Sequence, residues 1–132
     1  LAFGLPGNPV SSMVTFEQLV RPAMLKMGGR RSSGRPVVEA VFQEKFSKRP
    51  DRRHFLRGVL TREEGVFKVR TTGDQGSGIL TSMVKANCLI DVPVEIERLN
   101  PGDLVTVQLL SGETWLTKAE QGRADGHRLS CC

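Results

Sequence analysis

Three stretches of the chain combine residue types able to hold an anion. The first is G-L-P-G-N-P-V-S at Gly4–Ser11, which joins an apolar opening segment to an apolar-periodic one. An apolar strand, a loop with two glycines and two prolines, and a capped helix would aim several backbone N–H groups at one spot, where the helix dipole favours negative charge. Asn8 suits the N-cap, and Pro9 suits the first helical position, where its missing N–H costs nothing. Pro6 and Pro9 stiffen the loop, so a site there would exist before its ligand arrives. The second is Arg57, set between Leu56 and Gly58 in an apolar strand. Burying a guanidinium is costly unless an anion or a carboxylate meets it, and its planar fork suits a tetrahedral oxyanion. The third is T-G-D-Q-G-S-G at Thr72–Gly78, a glycine-rich loop opening a short helix, which can offer backbone N–H groups and the Ser77 hydroxyl. Each has a plainer alternative: a tight connection, an outward-facing arginine on the polar side of its strand, and an ordinary turn. The first loop is neither a Walker loop, since no Gly-Lys-Ser/Thr follows, nor a dinucleotide fingerprint.

The elements that would position these groups follow from periodicity. Leu1–Leu5 reads as a strand. From Val10 to Met27 apolar residues recur at three- and four-residue steps, which predicts an amphipathic helix that Pro22 should kink or split and Gly28-Gly29 should end. Residues 30–35 read as a linker. Strands are then predicted at Val37–Phe46, His54–Leu60, Val66–Thr72, Cys88–Val94 and Leu104–Leu110, with a short helix over Ser77–Ala86 and a turn at Asn100-Pro101-Gly102-Asp103. Five short strands in so little sequence imply a small barrel or sandwich. Beyond Ser111 neither period nor core is visible, and the tail reads as loosely ordered.

Composition narrows the function classes. The net charge is +5, but residues 21–62 alone carry twelve Lys/Arg against three acids, an excess of +9. Such a block could steer a phosphate-rich or oxyanionic ligand or bind nucleic acid nonspecifically, or it could simply be solvated linker and strand edge. Nucleic acid is disfavoured, because the block holds only three phenylalanines for base stacking and the chain has no Tyr. Neither a membrane span nor a secretion leader is visible. Cys88, Cys131 and Cys132 have no disulfide or metal-ligand spacing; Cys88 reads as a buried reduced thiol, which fits a cytoplasmic compartment. No metal site and no acid-base residue is indicated: His54 is read as a strand residue and His127 as part of the tail. The opening on an apolar strand without Met suggests a piece of a longer protein.

The motifs as strings are more specific than their physics. G-L-P-G-N-P-V-S, M-V-T-F-E-Q-L-V-R-P-A-M (Met13–Met24), R-R-H-F-L-R-G-V-L (Arg52–Leu60), T-T-G-D-Q-G-S-G-I-L-T-S-M (Thr71–Met83) and A-N-C-L-I-D-V-P (Ala86–Pro93) together resemble the molybdenum insertase family, the MoeA proteins and the matching part of gephyrin. The resemblance implies a mainly β fold. A small C-terminal β-barrel or β-clip-like domain (residues 36–112) would be preceded by the last strand and helix of a MogA-like α/β molybdopterin-binding domain (1–29) and a linker (30–35). Residues 113–132 would be tail. It implies an enzyme that inserts molybdate into adenylylated molybdopterin and releases AMP, with Mg2+ held by residues outside this chain. The alternative is a gephyrin-like scaffold module without catalysis. The implied substrate-binding residues are Arg57, Ser77, Ser11, Pro6 and Pro9, with Asn8 and Arg53 behind them, and the implied parent is a cytoplasmic homodimer.

Overall fold

The computed structural model describes residues 2–73, 75 and 80–110. The expected tail at 113–132 and the Ser77 position lie outside the described residues. Asn8 caps the first helix as its type demands: its Oδ1 accepts from the N–H groups of Val10 at 3.1 Å and Ser11 at 3.3 Å, and Pro9 occupies the first turn. The helix runs as α1 (Pro9–Thr15), a π-helical stretch (Phe16–Val20) and α2 (Arg21–Met27). Pro22 therefore neither splits nor ends it. The ring and missing N–H are absorbed one turn earlier, where the Arg21 N–H reaches back five residues to the Phe16 carbonyl. Gly29, with φ 78°, closes the helix.

The predicted strand at Leu1–Leu5 is not formed among the described residues, where 2–6 carry no ladder. A strand exists only through a paired neighbour, and the sheet beyond the helix consists of the barrel strands, which are already closed on themselves. The predicted strand over Val37–Phe46 is two: β1 (Val37–Phe42) and β2 (Phe46–Ser47). They separate because Glu44 leaves the ladder and turns its carboxylate onto the N–H and hydroxyl of Thr71, at 3.1 and 2.7 Å. The remaining elements are β3 (His54–Glu63), β4 (Val66–Thr71), α3 (Leu80–Lys85), β5 (Cys88–Val92), β6 (Arg98–Leu99) and β7 (Leu104–Leu109). β3 and β4 are joined by the two residues Glu64 and Gly65, both at positive φ, the geometry of the tight hairpin turns that match strand twist.

Five strands close into a barrel in the order β1-β4-β3-β5-β7, with β1 parallel to β4 and every other pair antiparallel. β2 and β6 form a separate two-stranded flap. Alternation sends Ala40, Phe42, Leu56, Leu60, Val69, Cys88, Ile90, Val92, Val105, Val107 and Leu109 into one core. Gly58 belongs to that inner row because a Cβ there would come within 3.0 Å of Cys88 Sγ and of Ile90. The helix lies against the barrel through polar ties. Arg35 holds Glu17 with two bonds of 2.9 Å and donates to the Leu110 carbonyl, and Gln18 donates to Gln108. Among the described residues no helix is long and apolar enough to cross a membrane.

Candidate functional site

Arg57 lies one residue out of phase with the inner row of β3, so its side chain starts from the outer face of the barrel. The register puts it beside Leu89 of β5, which in turn faces Gln108 of β7. All three are buried, Arg57 at 6% exposure. The alternatives left open by periodicity are thereby resolved: the arginine faces away from the barrel interior, yet it is covered. α3 supplies the cover. Arg57 Nε donates to Ser82 Oγ at 3.0 Å, and Ser82 is itself 3% exposed.

Thr72 and Gln75 of the glycine-rich loop are fixed to the Arg57 backbone. β4 ends at Thr71 opposite Gly58, so the peptide groups of Arg57 on that side need other partners. The carboxamide of Gln75 provides them: Oε1 accepts from the Arg57 N–H at 2.8 Å, and Nε2 donates to the Arg57 carbonyl at 3.1 Å. Thr72 N–H adds a bond to the same carbonyl at 3.0 Å. Asn87 performs the matching task at Leu60, accepting at 2.8 Å and donating at 3.0 Å where β5 has not yet begun. The structure thus brings Arg57 together with the loop that leads to Ser77. Gln75 stood inside the motif, but its type gave no sign of this clamp.

Arg57 and Gln75 line a cavity of about 330 Å³ with Phe46, Lys48, Arg49, Asp51, Arg52 and His54. His54 is the first residue of β3, and residue type alone did not mark it as part of a site. Burial, reinforced by Lys48 and Arg52, lowers its imidazole pKa below the ordinary value against the opposing pull of Asp51. Arg53 is placed elsewhere. It forms a two-pronged pair with Asp91, Nε to Oδ1 at 2.6 Å, and lies 5.4 Å over the Phe55 ring. Its hydrogen bond to Asp91 raises the pKa of its guanidinium further.

The proline loop borders a different, mostly apolar cavity of about 610 Å³, lined by Leu5, Ser12, Met13, Phe16, Glu17, Met83, Ala86 and Leu110. Pro6 accepts from the Ser12 hydroxyl, Pro9 is exposed and Ser11 half-buried. The Val10 and Ser11 N–H groups that would face an anion are engaged by Asn8. α3 therefore stands between the two regions, Ser82 toward Arg57 and Met83 toward Leu5. Among the described residues no three His, Cys, Asp or Glu side chains converge to hold a metal ion.

The chain is similar to known proteins over most of its length. The family described as MoeA C-terminal region (domain IV) matches residues 39–110. A molybdopterin molybdenumtransferase of Haemophilus influenzae is 37% identical over 107 residues, covering 80% of this chain and 26% of its own. A gephyrin of Dictyostelium discoideum is 34% identical over 118 residues, covering 83% of this chain and 16% of its own. The molybdopterin biosynthesis MoeA protein of Pyrococcus horikoshii superposes with a TM-score of 0.65 at 29% identity, over 78% of this chain and 26% of that one. The chain thus spans about a quarter or less of the length of these proteins. The matched segment runs from the third residue of β1 through the end of β7 and includes the buried arginine, and by it the chain belongs to the MoeA C-terminal region family.

Proposed function

We propose that the barrel supplies one wall of an oxyanion pocket in a molybdenum cofactor biosynthesis enzyme, a molybdopterin molybdenumtransferase acting on molybdate and adenylylated molybdopterin. The observation that carries this reading is Arg57, a covered guanidinium on a peptide clamped by Gln75 and Thr72. A fork held at Nε by Ser82, on a peptide that is itself clamped, meets a tetrahedral oxyanion with little reorganisation. Molybdate must lose oxygens as the two dithiolene sulfurs displace them, so positioning and charge stabilisation dominate over proton transfer. Arg57 holds the oxyanion, and Ser77 donates to a second oxygen. The resemblance assigns Pro6, Pro9 and Ser11, backed by Asn8, to a second wall, which lies across α3 from Arg57; Arg53, held by Asp91, supports the pocket only through β3.

Residues 1–29 are read as the end of an α/β molybdopterin-binding domain, 30–35 as its linker and 36–112 as the barrel domain. Exposed Phe3, Leu5, Leu19, Met24 and Met27 support this division, because apolar side chains exposed on the helix and on the segment before it call for cover by the rest of such a domain. The parent is read from the resemblance as a cytoplasmic homodimer assisted by Mg2+, and no step assigned to these residues runs through that ion. The test is a chimaera in which this chain replaces the matching quarter of the Haemophilus influenzae enzyme. Molybdate-dependent AMP release that survives the exchange and is lost on Arg57→Ala supports the reading. A chimaera that folds and dimerises yet releases no AMP favours the scaffold role, for which the gephyrin relative speaks.

A further inference from the structure

The cavity beside Arg57 is lopsided in charge. Lys48, Arg49, Arg52 and Arg57 line it against a single acid, Asp51. The segment carrying these residues is held in place: Lys48 Nζ donates to the carbonyls of Arg52 at 3.0 Å and Val94 at 3.1 Å, tying the turn after β2 to the chain beyond β5. Asp51 is divided between two partners, 3.6 Å from Arg52 Nε and 4.0 Å from His54 Nε2. One shared carboxylate leaves the cavity positive, and a positive cavity of this size suits a tetrahedral dianion.

We propose that this cavity is a proton-linked anion site, in which His54 takes up a proton when a tetrahedral dianion binds. The inference rests on the oxyanion reading of Arg57 and adds a residue to that site. The His54 side chain is 30% exposed, and its ring packs at 6.4 Å from that of Phe46. Its cross-strand neighbour on β5 is the apolar Val92, so the charged groups facing it are Lys48, Asp51 and Arg52. Arg53, next in the chain, is occupied by Asp91. Burial and the two cations hold the imidazole pKa below its ordinary value, against the pull of Asp51. A dianion set among those cations offsets their repulsion and attracts the protonated ring, so the bound state has the higher His54 pKa. Affinity must then rise as pH falls through the interval between the free and bound values.

Sulfate is the suitable probe, because it keeps both charges across the range where histidine titrates. Calorimetric titration of the full chain from about pH 8 down to about pH 5.5, at fixed ionic strength, reads the linkage directly. An opposite charge close by shifts a pKa by about one to three units, and the exposure of Arg49 and Arg52 puts this site at or below the low end, so the expected gain in affinity is about three- to tenfold. The imidazole resonance of His54, identified by its loss in His54→Gln, should titrate at higher pH with sulfate present than without. His54→Gln should still bind sulfate, with the pH dependence flattened. Equal pH slopes in the two proteins, or a His54 titration that sulfate does not move, would overturn the inference while leaving the Arg57 reading in place. No sulfate binding at any pH would also overturn the inference, whereas the Arg57 reading, whose pocket has a second wall, stands or falls with Arg57→Ala in the full-length parent.

Discussion

Replacing Arg57 by alanine removes a guanidinium that is 6% exposed together with its 3.0 Å bond to Ser82. A hydrogen bond to a charged group contributes about 1.5–3 kcal/mol, roughly twice a neutral one. At about 1.4 kcal/mol per factor of ten, molybdate affinity in the full-length parent should fall roughly ten- to hundredfold. Arg57→Lys keeps the charge but loses the fork and the Nε donor to Ser82, so it should recover only part of the loss. Isothermal calorimetry with molybdate gives the affinities, and thermal melting of the same samples separates binding from folding. That separation is available because Gln75 and Thr72 grip the peptide of Arg57 and not its side chain, so the loop stays anchored in both variants. An affinity unchanged in a folded Arg57→Ala protein would refute the assignment. A lysine variant equal to the parent would refute the argument from fork geometry.

Four further outcomes are expected. Ser77→Ala should weaken molybdate binding by about 0.5–1.5 kcal/mol in the same calorimetric assay, less than Arg57→Ala, because a neutral donor gives less than a charged one. Gln75→Ala withdraws both partners of the Arg57 peptide and should cost about 1–3 kcal/mol in urea unfolding, with the loss of amide-exchange protection centred on Arg57 and Thr72. Gly58→Ala forces a Cβ to 3.0 Å from Cys88 and Ile90, and the overpacking should lower stability by about 1–3 kcal/mol in thermal melts. Arg35→Ala leaves Glu17 only its 3.9 Å contact with Arg21 and removes a donor from the Leu110 carbonyl, so exchange over Pro9–Met27 should accelerate while the barrel strands keep their protection.

What the sequence displays are features decided by neighbours along the chain. Asn8-Pro9 marks the helix start, and the alternation through Leu104–Leu109 marks a half-buried strand, because both depend on local geometry. β6 is two residues long and has no period to detect; it exists only because Phe46 and Ser47 lie beside it. The opening segment has strand composition, but the closed barrel offers it no edge to join. Arg57 was visible as a polar intruder in an apolar strand, whereas its covering by Ser82 depends on where α3 lands. His54, read from the sequence only as a strand residue, and Gln75 carry no sequence signal of their roles for a related reason. An imidazole at the start of a strand and a carboxamide in a glycine loop acquire their roles from residues far away in sequence, Lys48 and Arg52 for one and the Arg57 peptide for the other.

The parallel pairing of β1 with β4 bears on how the molecule reaches this shape. β3 and β4 are joined by a two-residue turn and can form as a hairpin on their own, and β5 adds to β3 soon after. β1 enters the chain before them all, yet it must lie between β4 and β7, the last strand. It can take both places only after the whole segment has been assembled, so the loop-closure entropy of the longest contacts falls on a single late event. Barrel closure by β1 is then expected to be the slow step of folding, its entropy being spent before β1's own contacts form. Substitutions on β1, such as Val41→Ala, should therefore act mainly by raising the unfolding rate, and those in the β3–β4 hairpin, formed earlier, should slow folding.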